Sequence, residues 1–281
     1  MYKILEKTQF SEKVFKFRIE APAIAKHAHA GQFLMVRANE TGERVPFTLA
    51  GWNGDEGWVE FIFMVIGKTT EMLSTYEAGE SLRDVVGPLG VPTEMAEGPC
   101  AVIGGGVGLA IAFPVAKHLV ETGHEVHAIM GARTKDLLLM EDQFRELLDE
   151  DHIHITTDDG SYGEKGLVTD ALKQLIEEGN QYDEIFAIGP AIMMKFVSKT
   201  TEPYGIPTTV SMSPIMVDGT GMCGGCRLTV GGQTKFACVD GPDFDGFEVD
   251  FDEAMHRGTM YKPFEAHARE AECNLLKQEV Q

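Results

Sequence analysis

The sequence predicts all-β and α/β architecture in one chain: an N-terminal antiparallel β-barrel, a central α/β part on a parallel sheet, and a small C-terminal module. Three observations predict this. Short runs of alternating apolar and polar residues fill the first third. From residue 98, apolar runs of strand length alternate with amphipathic runs of helix length. After residue 206 the alternation stops, and Cys223, Cys226 and Cys238 crowd together among glycines. The expected boundaries are 1–97, 98–206 and 207–281.

In the first region Phe15, Phe17 and Ile19 alternate with Lys16 and Arg18, the period of a half-buried strand. Residues 32–38, 45–50 and 58–65 are further β-branched and aromatic runs, punctuated by Gly, Asn, Asp and Pro. Strands this short and this closely spaced suit a small barrel or sandwich. Residues 70–76 read as one helical turn. In the second region the spacing predicts strands at 101–103, 125–130, 153–157 and 184–188. Helices are predicted at 109–121, 138–148, 167–178 and 191–200. Such βαβ units give a parallel sheet with helices on both faces. In the third, 210–217 reads as a last strand, and 227–230 with 234–237 as a hairpin across Gly231-Gly232-Gln233. The tail is amphipathic near 251–255 and frays at 270–281.

The 281 residues are 43% hydrophobic and 24% charged, ordinary values for a packed soluble protein. With 24 Lys and Arg against 44 Asp and Glu, the formal charge is −20, which disfavours nucleic acid and anionic membranes as partners. No apolar run is long enough to span a bilayer, and the first residues lack the core of a signal peptide. The expectation is a cytoplasmic protein. Five cysteines, three of them clustered, argue for metal or redox chemistry over a disulfide framework; Cys100 and Cys273 lie apart.

The cluster reads Asp218-x4-Cys223-x2-Cys226-x11-Cys238. That is the plant-type [2Fe–2S] spacing if an aspartate oxygen takes the first position. Its glycines let backbone wrap the cluster and aim N–H groups at the sulfurs. A structural zinc site with three thiolates and a carboxylate fits the same residues, as do ordinary buried thiols. An Asp before Gly is also the start of a common turn.

Strand, glycine loop and helix start follow one another at Gly104-Gly105-Gly106-Val107-Gly108, the context that sets a pyrophosphate on backbone N–H groups. The strict G-x-G-x-x-G register fails at Leu109, and no acidic residue closes the next strand, where Arg133 follows. Gly189-Pro190, followed by Met193 and Met194, places a second turn at a strand end. Arg44-Val45-Pro46-Phe47-Thr48 combines a guanidinium, a rigid ring, an aromatic and a hydroxyl. Val65, then Gly67-Lys68-Thr69-Thr70, leads into a helix start. The nine histidines show no metal-ligand spacing, and no nucleophile–base pair is evident.

Taken together, Arg44-x-Pro46-x-Thr48, Gly67-Lys68-Thr69-Thr70, Gly87-Pro88-Leu89-Gly90, the 104–108 loop and the cysteine cluster resemble the ferredoxin–NADP reductase superfamily. Within it the chain is similar to the electron-transfer subunit of dihydroorotate dehydrogenase. It is more similar still to the small subunit of NADH-dependent reduced ferredoxin:NADP oxidoreductase, also described as sulfide dehydrogenase. The resemblance implies FAD on the barrel, held by Arg44, Pro46, Phe47, Thr48, Val65, Gly67, Thr69 and Thr70, with Thr48 beside the reactive ring. It implies NAD(H) held by Gly104, Gly105, Gly106, Gly108, Arg133, Gly189, Pro190 and Met193. It implies a [2Fe–2S] cluster on Asp218, Cys223, Cys226 and Cys238, since the transhydrogenase-type subunits carry Asp in the first position. Hydride chemistry on the flavin needs no acid–base residue. The implied function is a relay between NAD(H), FAD and [2Fe–2S] to a larger iron–sulfur flavoprotein, as the NAD branch of an electron-bifurcating transhydrogenase. A dihydroorotate dehydrogenase subunit and a zinc-stapled flavin-binding module are the alternatives.

Overall fold

The computed structural model describes residues 1–264; the expected fraying at 270–281 and Cys273 lie outside the described residues. Seven strands make the first sheet: β1 (Tyr2–Ser11), β2 (Val14–Glu20), β3 (Phe33–Arg37), β4 (Arg44–Asn53), β5 (Trp58–Met64), β6 (Ser81–Leu82) and β7 (Asp84–Leu89). Their order is β6-β1-β2-β5-β4-β3-β7, antiparallel throughout. All seven supply side chains to one apolar core, among them Ile4, Phe17, Leu34, Phe47, Phe61, Leu82 and Val85. A sheet whose seven strands share one core must curl around it, so this is a half-barrel with β6 and β7 as its edges. Two short helices ride on it, α1 (Pro22–Ala25) and α2 (Lys68–Ser74).

The second sheet holds β8 (Cys100–Gly105), β9 (Val126–Ala132), β10 (Ile153–Thr157), β11 (Glu164–Lys165), β12 (Glu184–Ile188) and β13 (Thr208–Ser211). Between them run α3 (Gly108–Glu121), α4 (Glu141–Leu147), α5 (Val168–Glu177) and α6 (Ala191–Thr201). The order β11-β10-β9-β8-β12-β13 is parallel, and its direction of winding reverses between β8 and β12. Period-two alternation sorts the two faces. Ala101, Ile103, Ile185 and Ala187 pack against α5 and α6. Cys100, Val102, Phe186 and Ile188 pack against α3 and α4 on the other side. Val14 and Ile62, outward-facing on the half-barrel, join that second core.

Past Ser211 the expected strand to 217 does not continue: the chain enters the glycine-rich loop, where Gly219, Gly221 and Gly224 all have positive φ. A hairpin follows, β14 (Arg227–Val230) and β15 (Gln233–Phe236), turning through Gly231 and Gly232. Then β16 (Asp243–Asp245) returns to pair antiparallel with β13, so the C-terminal module supplies an edge strand of the parallel sheet. Helix α7 (Phe251–Arg257) ends the described part; Asp250 caps it by accepting from Glu253 N–H. No helix among the described residues is long and apolar enough to cross a membrane.

Candidate functional site

The reversal between β8 and β12 is where ligands of open α/β sheets collect, and the glycine loop lies there. Gly106 has φ +58, and a Cβ on it would meet nothing within 4 Å, so its backbone borders open space. Its neighbours are glycine for packing reasons. A Cβ at Gly105 would lie 2.5 Å from Met193 Sδ, one at Gly108 would overlap the Ile188 carbonyl oxygen, and one at Gly104 would strike Leu109. Gly189 faces Gly105 across the same gap, with a would-be Cβ 3.2 Å from the Gly105 nitrogen. The start of α3 has no side-chain cap, leaving the positive end of its dipole open. Thus Gly104, Gly105, Gly106, Gly108, Gly189, Pro190 and Met193 come together. Arg133 does not join them: it is exposed just past the end of β9, one strand further out.

On the half-barrel, β3 and β4 pair so that Phe33 faces Thr48 and Met35 faces Pro46. Leu34 and Val36 point into the barrel core, whereas Phe33 and Met35 pack with the parallel sheet and the cysteine module. Cross-strand partners share a face, which puts Pro46 and Thr48, both half-buried, on that outward side. The Phe47 ring lies in the barrel core, stacked on Phe61 with centroids 5.0 Å apart, so what it can offer a cofactor is its backbone and not its ring. Val65 packs on the same core.

At the start of α2, Thr70 Oγ1 accepts from the Ile66 and Gly67 N–H groups, both at 3.0 Å, and donates to Gly67 O at 2.9 Å. That hydroxyl is a cap, fully engaged. Thr69 Oγ1 donates to Glu43 at 3.3 Å, which ties the helix start beside Arg44. Gly67 has open space where a Cβ would sit.

In the C-terminal loop, Cys226 and Cys238 are buried with their sulfurs 3.2 Å apart, while Cys223 is exposed. Burial, then the Cys226 sulfur, pushes the Cys238 thiol up to about 12. Cys223 runs the other way. Its sulfur accepts from Gly225 N–H at 3.4 Å, and that bond leads the causes that hold its pKa below the usual thiol range. Asp218 Oδ2 accepts from the Thr220 N–H at 3.1 Å, the Thr220 hydroxyl and the Met222 N–H at 3.4 Å. The Thr220 hydroxyl bond is the largest cause keeping Asp218 ionised below its ordinary range, and the charge of Arg44 adds to it. The loop therefore offers one carboxylate and three sulfurs at a site walled by glycines, two donors inward and two outward. Two thiols this close, beside backbone N–H groups aimed at sulfur, form a donor set that can hold an iron–sulfur cluster or a thiolate-bound metal ion.

Residues 213–250 match the family described as the iron-sulfur cluster binding domain of dihydroorotate dehydrogenase B, and residues 102–199 match the oxidoreductase NAD-binding domain. A Thermotoga maritima homologue of the dihydroorotate dehydrogenase B electron-transfer subunit is 48% identical, covering 92% of this chain and 91% of its own length. This chain belongs to that electron-transfer subunit family. The Clostridium acetobutylicum member is 30% identical over 88% of this chain and 95% of its own. Among solved structures, a chain of the NADH-dependent reduced ferredoxin–NADP oxidoreductase, described for flavin-based electron bifurcation, superposes with a TM-score of 0.90 at 46% identity. It covers 96% of this chain and 97% of that one. The cytochrome b5 reductase domain of Ulva prolifera nitrate reductase shares the fold alone, with a TM-score of 0.57 at 19% identity over 73% of this chain and 92% of that one. As a family member, the chain is an oxidoreductase subunit with an NAD-binding domain and an iron–sulfur domain.

Two groups escaped sequence reasoning. Phe33 and Met35 link barrel to cluster loop, and an apolar strand residue gives no sign of which core it joins. Glu125, His127 and His152 gather across neighbouring strands despite showing no ligand spacing along the chain. His152 ends a 3₁₀ turn (Glu150–His152), whereas His154 lies on β10.

Proposed function

We propose that this chain is the NAD(H) branch of an electron-bifurcating, ferredoxin-dependent transhydrogenase, passing electrons between NAD(H), FAD and a [2Fe–2S] cluster to a larger iron–sulfur flavoprotein in the cytoplasm. The observation that carries this reading is the shared wall at β3. Met35 touches the cluster loop at Gly219 and pairs across the strand with Pro46 on the face proposed for FAD. The near full-length superposition on the transhydrogenase chain, with a TM-score of 0.90 at 46% identity, supports this reading over the pyrimidine-synthesis alternative. The match of residues 213–250 to an iron–sulfur cluster binding domain favours iron–sulfur over a zinc staple.

FAD, when bound, accepts two electrons as a hydride and can release them singly, which neither nicotinamide nor the cluster can do alone. This chain's residues bind, orient and tune. Gly106, whose N–H is taken by the Gly131 carbonyl at 3.1 Å, would border a dinucleotide pyrophosphate with its open Cα face, and the uncapped start of α3 would turn its positive end toward that group, with the Gly105–Gly189 contact beside it. Thr48 presents its hydroxyl to the flavin ring, Arg44 its charge to the phosphates, and Gly67 and Thr69 the edge of the same site. Cys226 and Cys238 are buried in the core that Phe33 and Met35 of the half-barrel also join. Asp218 and Cys223 face solvent, ringed by Met222, 86% exposed, with Val217 and Val239 also exposed. That apolar rim is where the partner would cover the cluster.

The test is an anaerobic visible spectrum of the purified chain before and after NADH. Flavin and iron–sulfur bands that bleach together support the relay; flavin without iron, or bands indifferent to NADH, overturns it. Asp218→Cys should keep the iron with an altered cluster spectrum, and Asp218→Ala should lose most of it. Full iron with an unchanged spectrum in Asp218→Ala removes Asp218 as a ligand. Co-purification with the large subunit of a transhydrogenase, and not with a dihydroorotate dehydrogenase, decides the partner.

A further inference from the structure

A second cluster of ligand-type side chains lies at the opposite end of the parallel sheet from the glycine loop. Glu125 directly precedes β9, His127 is the second residue of that strand, and His152 ends the 3₁₀ turn before β10. The parallel register sets Ile153 beside Ala128 and His154 beside Ile129, so both histidines of the second segment flank His127. The nearest ligand atoms of Glu125, His127 and His152 all lie within 4.8 Å of one another. Glu125 Oε1 is 3.8 Å from His127 Nε2 and 3.9 Å from His152 Nε2. These distances are too long for hydrogen bonds. Donor atoms around a tetrahedral zinc-class ion, with bonds of about 2.0–2.2 Å, stand about 3.3 Å apart. The two Glu125 separations need to shorten by roughly half an ångström each, and the histidine pair to close from within 4.8 Å, which side-chain rotation can supply.

We propose that Glu125, His127 and His152 bind one borderline divalent transition-metal ion of the zinc class, with the Tyr182 hydroxyl facing a water in its fourth position. Two imidazoles and a carboxylate suit such an ion better than a hard cation like calcium. The surroundings are those of a built site. His127 is buried, and its Nδ1 lies 3.2 Å from His154 Nε2. Donating the Nδ1 proton to His154 fixes the tautomer that leaves the Nε2 lone pair free on the Glu125 side, the outer support metal-bound histidines usually have.

The second observation is Tyr182. It is 7% exposed, stands edge-on to His127 with centroids 5.5 Å apart, and its hydroxyl has no hydrogen-bond partner. Leaving a buried hydroxyl unpaired is costly, and a metal-bound water supplies the missing partner. Glu125 is exposed, so an ion can enter from solvent. About five residues of strand separate the cluster from the glycine loop, roughly 15 Å. The ion is therefore a staple between the start of β9 and the 150–152 turn, and the proposal is independent of the redox reading.

The experiment titrates Zn2+ into the chain purified with its cofactors, so that cluster cysteines are occupied, after treatment with a chelator. Calorimetry gives stoichiometry and affinity, and zinc-edge X-ray absorption gives the donor atoms. One Zn2+ per chain with only nitrogen and oxygen donors is expected. Glu125→Gln and His152→Ala, both outside the buried core, should each weaken binding at least tenfold. His256→Ala, on α7, should leave it unchanged. Absence of stoichiometric binding, sulfur among the donors, or unaltered affinity in both ligand variants overturns the proposal.

Discussion

Gly219 of the cluster loop lies against Met35 of β3: with φ +81, its Cα approaches so closely that a Cβ would overlap Met35 Cγ. Met35 is 1% exposed and cannot retreat. Gly219→Ala therefore meets a left-handed backbone penalty and a core clash together, about 2–3 kcal/mol. The expected outcome is a folded protein with several degrees less thermal stability and a substoichiometric cluster, read as iron per chain. Gly232→Ala is the control. It shares the positive φ (+72) but has nothing within 4 Å, so it should cost about 1 kcal/mol and leave iron content intact. Equal iron loss in both would mean the Met35 contact is irrelevant.

The glycine loop separates binding from folding. Gly106→Ala places a methyl in open space at φ +58 and should cost about 1 kcal/mol of stability while weakening NADH binding tenfold or more. Gly108→Ala would drive a methyl into the Ile188 carbonyl and should lose stability first. Thermal melts beside NADH titrations distinguish the two. If Gly106→Ala binds NADH normally, the pyrophosphate does not cross that residue.

Thiol chemistry should rank the cysteines. The Cys223 pKa is lowered and its thiol is exposed, whereas burial, followed by the charges of Glu184 and Asp183, drives Cys100 up to about 12. In cluster-free protein near neutral pH, iodoacetamide should label Cys223 at least tenfold faster than Cys238, and leave Cys100 unmodified until denaturant is added. Peptide mass spectrometry reads each site. Fast labelling of Cys100 would contradict its burial.

Asp243 joins three parts of the chain. Its Oδ2 accepts from the Thr93 hydroxyl at 2.5 Å, Gly31 packs close by, and its Oδ1 is buried without a partner. Burial first, then the charge of Glu184, raise its pKa in the fold against the opposing hydrogen bonds of Ser211 and Thr93. A raised folded pKa gives stability that is present at low pH and lost as pH rises through it. Asp243→Asn removes that titration while Glu184 titrates in both proteins. The melting temperature of the variant relative to wild type should thus climb as pH rises above the ordinary carboxylate range of about 4. A difference that stays flat or falls with pH would show the carboxylate is not held against its charge.

Much of this was legible because short-range physics decides it. The strand at Glu184–Ile188 and the helix Ala191–Thr201 follow from apolar spacing, and the glycine–cysteine spacing identifies the cluster loop. What escaped depends on partners far along the chain. Phe47 reads as a site aromatic, yet strand alternation turns its ring inward onto Phe61. Thr70, which the resemblance implies at the FAD site, has its hydroxyl engaged by the helix start. The strand β16 carries only three residues, and nothing local announces that Asp243–Asp245 will find β13.

That last pairing limits how this protein can handle electrons. Because Val210 pairs with Phe244 and Thr209 with Asp245, the segment that follows the cysteines is woven into the same sheet that begins the nucleotide site. The cluster loop is further pinned at Met35. A swinging carrier arm needs a tether; this module has none on its sheet side. The expected consequence is a cluster loop held in place by the sheet, with intramolecular transfer that does not wait on diffusion of a loaded arm. Thickening the solvent with glycerol would slow the meeting of subunits while leaving the step inside this one untouched.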